Sequence, residues 1–567
     1  MRKRLAALLT VLATLGAVVG IAGSPAANAA LSDTPFSGYG TGTVLGLNAV
    51  QTATSTLAAT NVAHAGAAVN STGLTAIADE LGQNVSPANA DKNAYGRGAG
   101  AQVGVGTPIP SQADANAINL AGLAQAIAPP PSSQDKSIPI NLAPTISATT
   151  TRGQAAALWN DDFCPVGRAF SYGEGEAEDV QVLGAGTGSP LISSTSQGQN
   201  VTESRSVTYA IPNGDGTFGL VSETRMIVAP INVGPPVLGQ ALLNIEIAGP
   251  LVFKAIATGK PGGASIVWPG TNVITIRALG VVVPPTPIAL NSIVGPTGLN
   301  LNVPLVANLS VGAPPHAIGG AAGTPVTAAA NGTVAAASVD VVLLQLLQGL
   351  LGLTAAVDLR VGHIEGAVAV PEGGFTCEIP VEKEGFPDPV TAGEDFTILI
   401  RIPSDSALFA ELFGCDLIGI SVVDVSEVES GNPSFTLTGA SNGGVIDGNT
   451  VIWDDIGDYH IGDPPIELTI TGHIAGNSAA GVIKDTAAVD ATLGNCTGTG
   501  SGADIVGQGI GTISDTSLSG LVTLIGPDVN RAGGLAATGG DARLLVLGGL
   551  FLLGAVAIRR RLHKPGS

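Results

Sequence analysis

Two runs of carboxylates are the first residues whose types and spacing could do chemistry: Glu174, Glu176, Glu178 and Asp179, and then Asp454, Asp455, Asp458 and Asp463. Oxygen-rich loops bind Ca²⁺, but neither run carries the Asp-x-Asp-x-Asp-Gly loop with a Glu at fixed distance. Solvated acidic loops are the simpler reading. The second run is kept as a weak calcium candidate, and no metal or cofactor is expected. Glycoside hydrolysis needs two positioned carboxylates, which the first half could supply. A polysaccharide or peptidoglycan hydrolase is therefore the alternative from another class. There is no His-Glu-x-x-His pair or P-loop in the chain, and no catalytic residue is assigned. The histidines are scattered. His363 and Glu365, two apart on an expected strand, share a face and read as a surface pair. Trp159, Trp268 and Trp453 read as core or turn-packing residues.

Four cysteines, Cys164, Cys377, Cys415 and Cys496, form an even set without a Cys-x-x-Cys pair, so two disulfides are expected rather than a zinc or redox centre. Three pairings are open. Cys164 with Cys377 and Cys415 with Cys496 is preferred, because it closes one loop in each half. Lys383 and Lys484 are the only lysines between Glu372 and Asn530. A Lys–Asn cross-link is not expected of either, since disulfides already brace the fold.

The elements that must position these groups are strands. With 79 Gly, 37 Pro and only 4% aromatic residues, the core has to be built from Val, Ile, Leu and Ala, which favours β structure with many turns. Thr41 to Leu47 and Gln102 to Val105 alternate like strands, whereas Asp114 to Ala128 is left open between helix and loop. Val207 to Ile211 and Phe218 to Val228 flank Asn213-Gly214-Asp215-Gly216, a hairpin turn. Val339 to Leu353 reads as a buried strand, with an amphipathic helix as the other reading, and is too short and polar to span a membrane. From Val390 on, Val422 to Val428, Phe435 to Leu437, Thr450 to Trp453, Ile466 to Ile474 and Val482 to Val489 follow at the spacing of a β-sandwich. The formal net charge is −21, and between Glu372 and Asn530 the only basic side chains among the many acids, histidine aside, are Lys383, Arg401 and Lys484. Such a surface repels nucleic acid.

Both ends carry addresses. Arg2-Lys3-Arg4, an apolar run and Ala27-Asn28-Ala29 have the form of a signal peptide cleaved after Ala29. At the other end stand Leu535-Ala536-Ala537-Thr538-Gly539, an apolar segment 544–558, shorter than the roughly 20 residues of a comfortable span, and the basic Arg559 to Lys564. This tail resembles the sorting signal of sortase substrates, with Leu535, Thr538 and Gly539 at the fixed positions. Ala536 replaces the commoner Pro, which resembles the class E substrates of high-GC Gram-positive bacteria. The resemblance implies cleavage between Thr538 and Gly539 by a membrane sortase and transfer of the Thr538 carbonyl to a wall-peptide amine. The segments Ala392–Phe396, Gly448–Trp453 and Asp485–Val489 resemble the immunoglobulin-like conserved-repeat modules of bacterial surface proteins. The whole chain resembles the actinobacterial choice-of-anchor surface families.

The expected organisation is a mostly β chain: signal peptide 1–29, β-rich ectodomain 30–371, acidic immunoglobulin-like sandwich 372–529, short linker 530–534 and sorting signal 535–567, with helices only in the two terminal signals. The expected role is a non-enzymatic, structural or adhesive one at the cell wall. Its expected partners are a sortase, a cell-wall peptide and an unidentified extracellular ligand. A single-pass membrane protein is the outcome if Ala536 prevents processing.

Overall fold

The computed structural model describes residues 35–525 except 52–55, 74–91, 106–117, 143–145, 160–164, 183–189, 195–201, 235–240, 269–271, 284–285, 291–292, 294–297, 304–306, 347–354, 378–380, 388–389 and 496–511. The described residues are almost wholly antiparallel β structure. Both terminal signals, with Ala27, Ala29 and Leu535 to Gly539, lie outside them, as do Cys164 and Cys496.

A ten-stranded sheet forms one layer of the first domain, with Ser37–Gln51 hydrogen-bonded between Thr56–Asn70 and Ala355–Ala369. Ala94–Val105 extends it on one side, and Val334–Leu346 on the other. An eight-stranded sheet lies against it, with Ala169–Glu178 between Thr150–Ala157 and Thr202–Pro212, then Thr217–Ile227 and Leu251–Ala257. The turn at Asn213 to Gly216 joins the hairpin as its composition demands, with Gly214 and Gly216 both at positive φ. The same chain passes then continue past breaks such as Asp179, itself at positive φ, into a nine-stranded sheet of shorter strands.

Alternating glycine explains how the first two sheets meet. In Ala94–Val105, Gly96, Gly98 and Gly100 share one face. A Cβ added at Gly98 would lie 1.8 Å from the Glu174 carbonyl oxygen and 2.4 Å from that of Gln154. Gly173, from the opposite sheet, stands in the same relation to the Arg97 carbonyl, at 2.0 Å. Sheets usually stack about 10 Å apart on interlocking side chains; here the two backbones touch. Larger side chains pack beside this contact, where Phe36 stacks on Phe375 at 4.1 Å and meets Phe170 and Trp159.

The second domain is a sandwich. Its four-stranded sheet runs Glu382–Phe386, Asp395–Ile402, Ile466–Ile474, Phe435–Ala440; its six-stranded sheet contains Thr512–Ile525, Gly481–Gly494, Asp416–Gly431 and Thr450–Trp453 in that order. Phe375–Thr376 still pairs with Thr217–Ile227 of the first domain, so the charge change near Pro371 precedes the structural change. Helices were expected in the terminal signals alone, but Ser406–Leu412 is a short helix inside the sandwich. Asp405 caps it, its side chain accepting from the Ala407 N–H at 2.9 Å. Phe409 and Phe413 then stack at 4.1 Å, with Tyr459 edge-on to Phe409. Trp453 is buried, its Nε1–H donating to the Ser441 carbonyl at 2.8 Å. Among the described residues no helix is long and apolar enough to cross a membrane.

Candidate functional site

Strand register brings polar residues of four strands into one row on the outer face of the ten-stranded sheet: Asp340 opposite His363, His363 opposite Thr43, Thr43 opposite His64. Residues directly opposite in a sheet stand about 5 Å apart, so the row is in mutual contact. His363 Nδ1 is 2.8 Å from Asp340 Oδ1, and its Nε2 is 3.3 Å from Glu365 Oε1. Thr43 Oγ1 is 2.9 Å from His64 Nδ1. Asp340, His363 and Thr43 of this row floor a cleft of about 390 Å³, also lined by Asn61, Arg360 and His316. A loop roofs it, pinned where the His316 N–H donates to the Ser338 carbonyl and the Ser338 N–H donates back.

The two histidines carry opposite charge states at neutral pH. Burial disfavours charge on His363, but Asp340 and then Glu365 outweigh it and raise the imidazole to about 9. Asp340, which burial alone would raise, is brought down to about 2 by the His363 charge and hydrogen bond. His64 is driven to about 3, first by burial and then by Arg97 and His363. The expected surface pair is thus a half-buried triad. Sequence spacing showed Glu365 on the face of His363; it could not show Asp340, which comes from the neighbouring strand. Both cleft carboxylates are engaged by the one His363 imidazole.

The first acidic run lies elsewhere. Glu174 and Glu176 share a strand face of the eight-stranded sheet, turned away from the glycine contact. The Tyr172 hydroxyl donates to Glu174, with Arg205 over the Tyr172 ring at 5.3 Å. Burial and then Glu174 raise Glu176 to about 7. Glu178 and Asp179 sit at the strand's end, where Thr149 Oγ1 lies 3.3 Å from the Glu178 backbone carbonyl and from Asp179 Oδ2.

The calcium candidates lie in an exposed loop after Thr450–Trp453, and three of the four turn one oxygen to a backbone N–H. Asp455 accepts from the Gly457 N–H, Asp458 from the Gly419 N–H, and Asp463 from the His460 N–H. Among the described residues no three acidic, His or Cys side chains are grouped to hold a metal.

Cys377 and Cys415 are both buried and both disulfide-bonded. The first strand of the sandwich, Glu382–Phe386, brings a further cluster that spacing did not reveal, Lys383 with Asp424 and Asp485.

No family model and no curated protein matches the chain. Among solved structures, the N-terminal domain of the Streptococcus gordonii adhesin Sgo0707 is similar at a TM-score of 0.17 and 10% identity, covering 59% of this chain and 92% of that one. A protein from Corynebacterium diphtheriae described as membrane anchored is similar at 0.14 and 9%, covering 69% and 97%. TM-scores this low do not establish a common fold.

Proposed function

We propose that the chain is a surface-displayed structural or adhesive protein held at the cell wall through Thr538. The observation that carries this reading is the order of parts. An export-type leader is followed by an all-β ectodomain, and the last sandwich strand, Thr512–Ile525, ends shortly before the Leu535 to Gly539 motif with its apolar and basic tail. The sandwich would stand next to the attachment point, with the larger domain and its cleft displayed beyond it.

The test is the mass of the C-terminal peptide released from purified walls by a wall-digesting enzyme. A peptide ending at Thr538 and carrying wall peptide is expected, and Thr538→Ala should shift the protein to the membrane fraction or the medium. Wild-type protein recovered from membranes with Arg559 to Lys564 intact would instead make it a single-pass membrane protein.

The hydrolase alternative has one observation in its favour, the raised carboxyl of Glu176 beside Glu174, since a general acid needs its proton near neutral pH. It would be carried by wall-polysaccharide cleavage that Glu176→Gln abolishes.

We further infer that Cys164 pairs with Cys415, leaving Cys377 for Cys496, in place of the pairing preferred from charge. The Gly414 N–H donates to the Val166 carbonyl at 2.8 Å, and a Cβ at Gly167 would lie 2.4 Å from Cys415 Sγ. Cys415 is therefore packed against the residues just after Cys164. Both bonds would then join the two domains, and non-reducing peptide mapping should recover a Cys164–Cys415 peptide. Recovery of Cys415 linked to Cys496 would refute this.

A further inference from the structure

Lys383 lies on Glu382–Phe386, the first strand of the sandwich, with its side chain 1% exposed. It reaches across the interior to the opposite sheet, where Nζ contacts both Asp424 Oδ2 and Asp485 Oδ2, and both carboxylates are fully buried. Those two aspartates come from paired neighbouring strands, with Ser426 opposite Asp485. Ser426 donates its hydroxyl to Asp485 Oδ1. Around them the strands are apolar inside: Val422 precedes Asp424 on its face, and Ile483 and Ala487 flank Asp485.

Three ionisable groups in a dry interior are costly as ions, at several kcal/mol each after relaxation. One ammonium cannot neutralise two carboxylates, which favours a proton on one of the two acids. Packing that holds an amine against a carboxyl removes much of the entropic cost of bringing them together, and a dry interior disfavours the ammonium–carboxylate form that is unreactive in water.

We propose that Lys383 and Asp424 condense into an intramolecular amide that ties the first strand of the sandwich to the opposite sheet. Asp485 takes a proton from the Lys383 ammonium, and the neutral amine attacks Cγ of protonated Asp424. The C–N bond forms, the C–O bond breaks, and the hydroxyl leaves as water with one proton supplied through Asp485. Nothing is oxidised or reduced, and the only product besides the amide is one water.

The roles of the two acids follow from their surroundings. Asp485 has the Ser426 hydroxyl to support it as an anion. Asp424 lacks such a donor, and burial followed by the proximity of Asp485 raises it to about 7, so it keeps the proton that makes its hydroxyl a leaving group. Lys484, the other lysine of this half, points to solvent and has no such partners. No cross-link was expected of Lys383 from the sequence; the structure places two aspartates against it.

The experiment is intact-mass and peptide analysis of the full chain as purified, after reduction and alkylation. The expected mass is lighter than the sequence by one water, with trypsin failing to cut after Lys383 and a branched peptide joining Lys383 to Asp424. Lys383→Arg and Asp424→Ala should each restore the full mass expected for their own sequences. Asp485→Asn should slow the reaction and leave a mixture in which the same branched peptide is still found. A wild-type protein of full mass that trypsin cuts after Lys383 overturns the proposal, as does a branch mapped to Asp485. Because the reading is taken on the wild-type chain, it stands even if a variant fails to fold, and it is independent of wall attachment.

Discussion

Gly98→Ala is expected to cost the first domain at least about 3 kcal/mol, the upper end of what overpacking does. Overpacked cores usually escape by moving a side chain. Here the added methyl would meet backbone carbonyls, those of Glu174 at 1.8 Å and Gln154 at 2.4 Å, so a whole strand must shift. Movement of Ala169–Glu178 would in turn disturb its hydrogen bonds to Thr150–Ala157 and Thr202–Pro212. Gly476→Ala is the control, because that glycine has nothing within 4 Å and an ordinary φ, and it should change stability by less than about 0.5 kcal/mol. Hydrogen exchange read by peptide checks both the size and the place. Protection should collapse in 94–105 and 169–178 and persist in 466–474. Equal protection in Gly98→Ala and wild type would show that the sheets do not touch through backbone.

The second large effect is on pH dependence, through the His row of the cleft. His64 has a folded value of about 3 against 6.5, so its contribution is present above pH 6.5 and is lost as pH falls toward 3. His363 has a folded value of about 9, so its contribution is complete below 6.5 and disappears as pH rises through 9. Each adds a slope of up to about 1.4 kcal/mol per pH unit. The first domain should therefore be most stable near pH 6 to 7 and weaken on both sides. Asp340→Asn removes the main partner of His363, leaving a buried imidazole that no longer gains from its proton. It should cost about 2 kcal/mol at pH 6.5, the scale of a hydrogen bond to a charged group, and flatten the alkaline arm while leaving the acid arm from His64. Urea unfolding followed between pH 4 and 10 reads both arms. An alkaline slope unchanged in Asp340→Asn would mean that His363 is not charged in the folded state.

Strand identity was readable wherever alternation was apolar and polar. The hairpin at Asn213 to Gly216 and the run Ile466 to Ile474 are found where periodicity places them. The Gly/Ala strands were read too short. Thr41 to Leu47 and Gln102 to Val105 are pieces of Ser37–Gln51 and Ala94–Val105, because glycine against backbone leaves no hydrophobic signal at the buried positions. The stretch left open at Asp114 to Ala128 contributes Ile118–Ala121 and Ala124–Ala128, both strands. Site residues failed for a different reason. His363 and Glu365 are neighbours in sequence and could be paired from spacing, but Asp340, Thr43 and His64 join them only through register. Likewise Lys383 is far in sequence from Asp424 and Asp485, and only the facing of two sheets brings them together.

The position of Ser37–Gln51 in the middle of its sheet has a consequence for biogenesis. Its first partner, Thr56–Asn70, follows at once, but its second, Ala355–Ala369, is the last long strand of the domain, and Ser37 pairs with both Asn70 and Ala369. If the chain leaves the cell N-terminus first, the earliest hairpin carries an unpaired hydrogen-bonding edge until the domain has emerged almost entirely. Long-range pairing of this kind folds slowly, and an open edge invites other strands. The glycine and alanine of these strands offer little apolar surface for a wrong partner to bury, so the composition that closes the finished sheets also protects the waiting one.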